Sequence, residues 1–365
     1  MGTERLRILH CIPGLDGGGA ERQLSYLARA LGRKGVDVHV AYHLRAARVS
    51  NIPDSSVTFH ELTSHGNHDP SLLWQLFKIT RRLKPDLIQT WLLQMDVLGG
   101  LAALATRTPY LTTERVVAAA YTGMWKVKLR SWIGARAALV VANSQGGREY
   151  WLGRKPSNFV RIVPNAVPVE DVRQALTPCP ETCGAAENKE ILLFAGRYCA
   201  QKNVLILLDA LFLVLSERPA AMAIFVGSGP LESELVDRVK RHQMEDRVKI
   251  LGYTQQLWGW MKRARAFVSV SLFEGSPNVV SEAAAAGCPL VLSDIPEHRA
   301  LLDDDSAHFV PCDAPTEIAR GILDVLRNPE EANGKAELAY ASVSGFTINS
   351  IADQYLELYS LAIKR

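Results

Sequence analysis

The amino-acid sequence predicts an α/β protein with two doubly wound domains, each built on a parallel sheet. Short runs rich in Val, Ile and Leu alternate with longer segments of helical periodicity, and this pattern starts again after a proline-rich stretch. Strands that are apolar on both faces and separated by helices form parallel sheets covered on both sides. A chain of 365 residues fits two domains of ordinary size.

The predicted elements follow one another in a regular order within each half. In the first half, we predict strands at Leu6–Ile12, Val36–Tyr42, Asp86–Thr90, Tyr110–Thr113, Ala138–Ala142 and Val160–Val163. In the second half, they lie at Glu190–Ala195, Ala221–Val226, Val248–Leu251, Ala266–Val270, Pro289–Leu292 and His308–Val310. Helical periodicity is clearest at Ala20–Lys34, Leu72–Lys84, Asn203–Glu217, Leu231–His242 and Thr316–Leu326.

The connector from Pro164 to Lys189 contains four prolines and marks the domain boundary. We therefore predict one Rossmann-like domain at residues 1–166 and a second at 167–346. A last helix, Thr347–Ile363, follows no strand. We expect the segment 347–365 to pack back on the first domain.

Composition and charge exclude several classes of protein. With 48% hydrophobic and 22% charged residues, the chain is typical of a globular protein and not of a disordered or fibrous one. Because neither a long apolar run nor a signal peptide is apparent, we expect a cytoplasmic protein. Residues 1–166 hold 22 basic and 11 acidic residues, whereas residues 167–365 hold 19 and 27. This asymmetry suggests that the first half faces something anionic, the alternative being an uneven solvated surface.

The six cysteines show neither a CxxC pair nor zinc-site spacing. We expect ordinary reduced thiols, with a regulatory disulfide between Cys179 and Cys183 as the alternative.

A glycine-rich loop follows the first predicted strand. Gly17, Gly18 and Gly19 are consecutive and lead into a helix, whose N-terminus presents free N–H groups to an anion. The loop is either a contact for a diphosphate or sugar, or a flexible turn. It is neither the GxGxxG fingerprint of dinucleotide binding nor a P-loop.

Two loops of the second half carry phosphate-binding chemistry. Gly196 and Arg197 end one strand and Lys202 opens the next helix, so both cations can point at one anion, the alternative being two solvated cations. Gly227 and Ser228 end the next strand, in a turn that either holds a nucleotide or only leads into a helix beginning at Pro230.

A pair of glutamates follows the strand Ala266–Val270. Glu274 lies in a loop and Glu282 about one turn into a helix that Asn278 caps. Glu282 is suited to bind a ribose diol and Glu274 a sugar hydroxyl, the alternative for either one alone being a solvated or capping role. The backbone N–H groups of residues 278–280, Asn278, Val279 and Val280, are suited to hold a phosphate.

These motifs together resemble the retaining glycosyltransferases of family 4, which have the GT-B fold of two Rossmann-like domains with a cleft between them. The resemblance rests on "GGGAER", "VPNAV", "GR" with "QKN", "VGSGPLESEL", and the E-x7-E pair followed by "AAAAGCPLVLSD". It covers nearly the whole chain in the right order.

The resemblance implies a hexosyltransferase that uses a nucleotide-sugar donor, with a UDP-sugar favoured and a GDP-sugar next, and no metal or other cofactor. It assigns residues 167–346 to donor binding and residues 1–166 to the acceptor. It implies that Arg197 and Lys202 neutralise the leaving diphosphate, that Glu282 binds the ribose and that Glu274 binds the donor sugar. Gly17 and Gly18 would close on the diphosphate, and Gly196, Gly227, Ser228, Asn278, Val279 and Val280 would complete the donor site.

The chain departs from this pattern in its first half. Many relatives have a histidine near the end of the strand Tyr110–Thr113 or after Asp86–Thr90, where this chain has Glu114 and Arg115, and Trp91. We expect one of these three to supply a contact to the donor sugar or acceptor, with His10, His43, His65 and His68 as alternatives.

A basic, tryptophan-containing segment suggests the acceptor. From Arg115 to Arg161 there are nine basic residues and one acid, Glu149, and Trp125–Arg136 is a candidate amphipathic helix. The basic residues Lys126, Lys128, Arg130, Arg136, Arg148 and Arg154 interleave with Trp125, Trp132 and Trp151. Such a face fits the inner leaflet of the cytoplasmic membrane and a lipid-linked saccharide used in bacterial glycan assembly. The alternative is tryptophans in the core and cations in water. We expect no nucleic acid to bind, since no nucleic-acid motif accompanies the patch.

Three other functions remain alternatives to a glycosyltransferase. A nucleotide-sugar 2-epimerase has two such domains, and a two-domain sugar-binding protein is the non-enzymatic possibility, although that class is typically exported. The missing dinucleotide fingerprint disfavours an NAD-dependent oxidoreductase.

Overall fold

A computed structural model describes residues 5–15, 18–43, 55–64, 66, 69–115, 125–178 and 189–364. The chain divides into two compact units. One consists of Met1–Ala166 with Phe346–Arg365, and the other of Val167–Gly345. None of the described helices has the length and apolarity needed to cross a bilayer.

The first unit contains a seven-stranded parallel sheet in the order β3-β2-β1-β4-β5-β6-β7. The strands are β1 (Arg7–Cys11), β2 (Asp37–Tyr42), β3 (Val57–Glu61), β4 (Leu87–Trp91), β5 (Tyr110–Glu114), β6 (Leu139–Ala142) and β7 (Val160–Ile162). Six of them match predicted strands. The exception is β3, a half-exposed edge strand with only one fully buried residue, Val57.

The described residues of this unit form six helices: α1 (Gly19–Arg33), α2 (Ser71–Leu83), α3 (Leu92–Thr106), α4 (Trp125–Gly134), α5 (Gln145–Leu152) and α14 (Ile348–Ile363). The helix α14 begins after Thr347, whose side chain accepts a hydrogen bond from the N–H of Ser350. Tyr355 and Tyr359 on α14 are buried in the same core as α1 and β4. The C-terminal segment is thus an integral part of the first unit.

The second unit contains a six-stranded parallel sheet in the order β10-β9-β8-β11-β12-β13. The strands are β8 (Glu190–Ala195), β9 (Ala221–Val226), β10 (Val248–Leu251), β11 (Ala266–Ser269), β12 (Leu290–Ser293) and β13 (His308–Val310). All six match predicted strands. The central strands are continuously apolar because both of their faces are buried.

In the second unit, the part of the chain that the structure describes forms eight helices: α6 (Val169–Gln174), α7 (Val204–Glu217), α8 (Glu232–Arg241), α9 (Leu257–Arg263), α10 (Asn278–Ala285), α11 (Pro296–Arg299), α12 (Pro315–Arg327) and α13 (Pro329–Ser344). Two predicted helix starts are corrected. Pro230 lies in the turn before α8, which begins two residues later. Asn278 is the first residue of α10 rather than its cap, a position that Pro277 occupies without a side-chain hydrogen bond.

Candidate functional site

The candidate site lies at the carboxyl edge of the second sheet. The strand order reverses between β8 and β11, since β9 and β10 extend to one side of β8 and β12 and β13 to the other side of β11. In open parallel sheets, the crevice at such a switch point binds ligands. The loops that follow β8 and β11 are therefore the first place to examine.

An ion pair joins these two loops. The Nζ of Lys202 lies 2.5 Å from Oε1 of Glu274, and only 17% and 6% of the two side chains is exposed. The loop after β11 is held on the short turn Ala200–Lys202, because Leu272 N–H donates to the carbonyl of Gln201 and Gln201 Nε2 donates to that of Phe273. Two residues predicted from the sequence are thus brought together, although Lys202 was expected to face a diphosphate and here pairs with a carboxylate.

Glycines shape the neighbouring loops after β8 and β9. Gly227 has a φ of +142°, and a Cβ there would lie 2.0 Å from the carbonyl oxygen of Gly196. The loops are joined by hydrogen bonds from Tyr198 N–H to the carbonyl of Ser228 and from Gly196 N–H to that of Val226. Between these contacts, Arg197 is exposed. The close approach of two backbones requires glycine and leaves one cation at the rim of the site.

The second glutamate of the pair is held by a tryptophan. Glu282, which is 2% exposed, accepts a hydrogen bond of 2.9 Å at Oε2 from Nε1 of Trp258 on α9. Sequence reasoning did not single out Trp258, because nothing in its spacing links α9 to α10. The contact fixes the orientation of the carboxylate that we predicted to meet a ribose.

The N-terminus of α10 offers fewer donors than predicted. The N–H of Asn278 donates to the carbonyl of Ser276, and that of Val280 to the carbonyl of Pro277. Of the three predicted N–H groups, that of Val279 is the one without a hydrogen bond in the described part of the chain. Of these three groups, only the N–H of Val279 is therefore left to contact a phosphate.

A buried histidine lies behind the ion pair. The Nδ1 of His298 lies 2.9 Å from the carbonyl oxygen of Ser293 and so donates to it. The hydroxyl of Ser293 donates in turn to the carbonyl of Ser271. Burial lowers the pKa of His298, which also interacts electrostatically with Glu274 and Lys202. The Ser293 hydroxyl thus links the ends of β11 and β12 beneath the site, and His298 joins α11 to the end of β12. No sequence motif indicated these contacts.

In the first unit, the predicted glycine contacts are described in part. Gly18 caps α1, with the carboxylate of Glu21 2.4 Å from where its Cβ would be. Gly17 lies outside the described residues, as do His65, His68, Cys179 and Cys183. The contact of this loop with a diphosphate therefore stays a prediction.

The structure corrects the prediction that Glu114 contacts a sugar. Its carboxylate is fully buried and accepts hydrogen bonds of 2.8 Å from Arg130 and 2.9 Å from Nε1 of Trp151. Arg130 also pairs with Asp96 at 2.7 Å. Burial raises the pKa of Asp96 to about 6. Glu114 belongs to an interior ion network and does not reach the surface.

Trp91 and Arg115 are also held by interior partners. Trp91 is fully buried and donates from Nε1 to Nδ1 of His10. Burial lowers the pKa of His10 to about 3. Arg115 stacks on the Trp91 ring at 4.5 Å and donates to Asn165 and to the hydroxyl of Tyr355. Trp91 is therefore corrected to a core residue, and Arg115 is half-buried, joined to α14.

The basic, tryptophan-containing segment separates into two parts. Trp151 and Arg130 are interior, contrary to their predicted place on a surface. Trp125 and Trp132 are 69% and 50% exposed. Trp74 on α2, which the sequence analysis missed, is 51% exposed.

Metal-binding side chains are not grouped in this structure. Within the described ranges, no three His, Cys, Asp or Glu side chains come close enough together to hold an ion. Cys11, Cys199, Cys288 and Cys312 are free thiols.

Two family models match successive parts of the chain. Residues 17–171 match the model described as "Glycosyltransferase Family 4", and residues 189–328 match "Glycosyl transferases group 1". The second match includes every predicted donor-site residue of the second unit.

Curated relatives and a solved structure agree with these matches. The chain is 24% identical, over 87% of its length and 89% of the relative, to a Campylobacter jejuni N-acetylgalactosaminyltransferase whose name specifies a saccharide on diphospho-undecaprenol. It is also 24% identical, over 66% of both chains, to an Escherichia coli UDP-Gal:alpha-D-GlcNAc-diphosphoundecaprenol alpha-1,3-galactosyltransferase. The structure of Anabaena HepE with UDP and glucose aligns with a TM-score of 0.85 at 20% identity, covering 98% of this chain and 100% of HepE. The chain is a glycosyltransferase of GT-B type.

Proposed function

We propose that this GT-B glycosyltransferase transfers a hexose from a UDP-sugar to a saccharide linked to a lipid diphosphate, with retention of the anomeric configuration. The observation that carries the proposal is the Lys202–Glu274 pair at the switch point of the second sheet. It combines a cation for a leaving diphosphate with a carboxylate for sugar hydroxyls. The UDP in the HepE structure and the donor and acceptor in the relatives' names support the choice of substrates.

The charged side chains have different roles in donor binding. Arg197 and Lys202 stabilise the negative charge that develops on the leaving diphosphate, and fixed cations are effective because they need no rearrangement during the reaction. Glu274 moves from Lys202 to the hydroxyls of the donor sugar when the diphosphate arrives. Glu282, held by Trp258, accepts hydrogen bonds from the ribose.

The mechanism we propose needs no metal ion. Two side-chain cations take the role that a divalent ion plays elsewhere. Retention follows from substitution on one face of the sugar, where the leaving phosphate oxygen accepts the proton of the acceptor hydroxyl. The acceptor oxygen then bonds to the anomeric carbon as the bond to the phosphate breaks.

The acceptor is proposed to meet the first unit. Its 22 basic and 11 acidic residues in 1–166 favour an anionic partner. The exposed Trp125 and Trp132, with Lys128 between them on α4, fit the headgroup region of an anionic membrane. The protein would then work as a peripheral enzyme on the inner face of the cytoplasmic membrane.

A thermal-shift experiment with UDP, GDP and ADP tests the donor. A ligand at about 100 times its dissociation constant adds roughly 2.7 kcal/mol to the free energy of unfolding. We expect UDP to raise the melting temperature of the wild type and of the control Glu330→Ala, which changes an exposed residue of α13. The same shift should be lost in Glu282→Ala and in the isosteric Glu282→Gln. A shift with GDP but not UDP would reassign the base, and equal shifts in all variants would remove Glu282 from the site.

A further inference from the structure

A mainly apolar pocket of the first unit lies between α3, α4 and the turn that precedes α2. Its volume is about 580 Å³, within the usual range for ligand pockets. Its polar lining residues are Asp69, Gln94 and Lys126. The apolar lining is supplied by Pro70, Leu93, Val97, Leu98, Trp125 and Leu129. Because Pro70 and Leu93 stand at the N-terminal ends of α2 and α3, the pocket lies at the carboxyl edge of the sheet, where ligands of α/β folds bind.

The helix α4, on one side of this pocket, has a buried arginine and exposed tryptophans. Arg130 points inward, 1% exposed, and is held by Asp96 and Glu114. Trp125 and Trp132 point outward, although large aromatic side chains gain most from burial. The two are seven residues apart, about two turns, and so share one side of α4, where exposed aromatic groups indicate a binding surface.

Cations accompany the exposed tryptophans. The Nζ of Lys78 lies 3.4 Å from the centre of the Trp74 ring, and the guanidinium of Arg136 lies 3.7 Å from that of Trp132. The helices α2 and α4 contain six basic residues and no acidic one. The one acid of α3, Asp96, is buried against Arg130.

The combination selects an amphiphile with an anionic head. A free sugar would not use an apolar pocket of this size, and an apolar peptide would not use the basic side chains of α2 and α4, which outnumber the one acid of the lining, Asp69. A lipid diphosphate uses both, since the helix ends and cations attract its phosphates while the pocket removes its chain from water.

We propose that this pocket binds the proximal part of the acceptor's lipid chain. This inference rests on the lipid-diphosphate acceptor of the proposed function and adds the place where the chain is held. Trp125 forms one wall, whereas Trp132 lies about two turns further along α4 and outside the pocket. The two tryptophans therefore separate chain binding from general contact with a membrane.

Farnesyl diphosphate, used below its micelle-forming concentration, is the probe for this pocket. Its dissociation constant is measured by isothermal titration with the full-length protein, for the wild type, Trp125→Ala and Trp132→Ala. We expect Trp125→Ala to weaken binding about tenfold, equivalent to about 1.4 kcal/mol. Trp132→Ala should stay within about twofold of the wild type, and inorganic diphosphate should bind much more weakly. Both side chains are exposed, so neither substitution should unfold the protein.

Three results would overturn the inference: equal weakening by both substitutions, no weakening by either, or inorganic diphosphate binding as tightly as the probe. Flotation with anionic vesicles tests the other explanation, contact of this face with the bilayer. If both substitutions reduce vesicle binding but neither changes the affinity for farnesyl diphosphate, the face contacts the bilayer and the pocket does not hold the chain. UDP binding is measured separately. If UDP binds and farnesyl diphosphate does not, the donor proposal stands and the pocket inference fails.

Discussion

Replacement of Lys202 by methionine separates the catalytic role of this cation from its structural one. Methionine keeps most of the side-chain length and removes the charge. In the folded protein, Lys202 contacts a carboxylate at 2.5 Å with little exposure of either group. The substitution therefore leaves Glu274 charged, largely buried and without this partner.

The structure sets the expected size of both effects. Breaking a fully buried pair costs about 3–5 kcal/mol, and an exposed pair contributes about 0–1 kcal/mol. With exposures of 17% and 6%, we expect Lys202→Met to lower the free energy of unfolding by about 2 kcal/mol. Loss of one donor to a developing anionic charge typically lowers kcat by about 10²–10³-fold, or about 2.7–4 kcal/mol.

The assay combines urea denaturation with initial rates at saturating donor. The double variant Lys202→Met/Glu274→Gln should recover part of the stability, because no unpaired charge remains, but none of the turnover. Lys335→Met is the matched control, since Lys335 pairs with the exposed Glu331 at 3.8 Å on α13. It should change stability by less than about 1 kcal/mol and leave kcat unaltered.

A kcat of Lys202→Met within about threefold of the wild type would refute the reasoning, whatever the stability. A fall in kcat that the double variant restores would also refute it. In that case the lysine would serve only to neutralise Glu274.

Two further predictions concern single positions. Gly227→Ala should lower the free energy of unfolding by about 1–3 kcal/mol in urea and weaken UDP binding, because φ is +142° and the Cβ would collide with Gly196. Gly252→Ala, where a Cβ meets open space, should be nearly neutral, and equal effects would contradict the strain argument. Asp96→Asn tests the raised pKa of about 6. The unfolded carboxyl loses its proton near pH 4 and the folded one near pH 6, so the wild type should lose up to about 3 kcal/mol relative to the variant as pH rises through this window. Parallel pH profiles of the free energy of unfolding for the wild type and Asp96→Asn would contradict the raised pKa of Asp96.

Burial on two faces made the strands easy to predict. Ile191–Ala195 is apolar at every position because β8 is central in its sheet. By contrast, β3 is an edge strand whose side chains are mostly half-buried or exposed. The helix α3 lay outside the predicted set because it is apolar on nearly all sides and shows no amphipathic stripe. Local pattern therefore predicts central strands and amphipathic helices, and fails for a half-exposed edge strand and for a helix without an amphipathic stripe.

The candidate site could be predicted where it follows from strand order. Lys202 and Glu274 come after neighbouring strands, so the topology of a parallel sheet brings their loops to the same edge. Trp258 and His298 reach the site through contacts between elements that share no local motif. Their roles depend on side-chain directions set by tertiary packing.

The interior ion network of Asp96, Glu114 and Arg130 bears on the proposed lipid-binding pocket. A basic helix placed on a surface by its composition was expected to turn its cations outward. Instead, Asp96 and Glu114 bind Arg130 from inside, and this fixes the rotation of α4. Trp125 is five residues before Arg130, about 140° away around the helix, and so must face outward. The carboxylate that was expected to touch a sugar instead binds Arg130 on the helix whose Trp125 lines the apolar pocket.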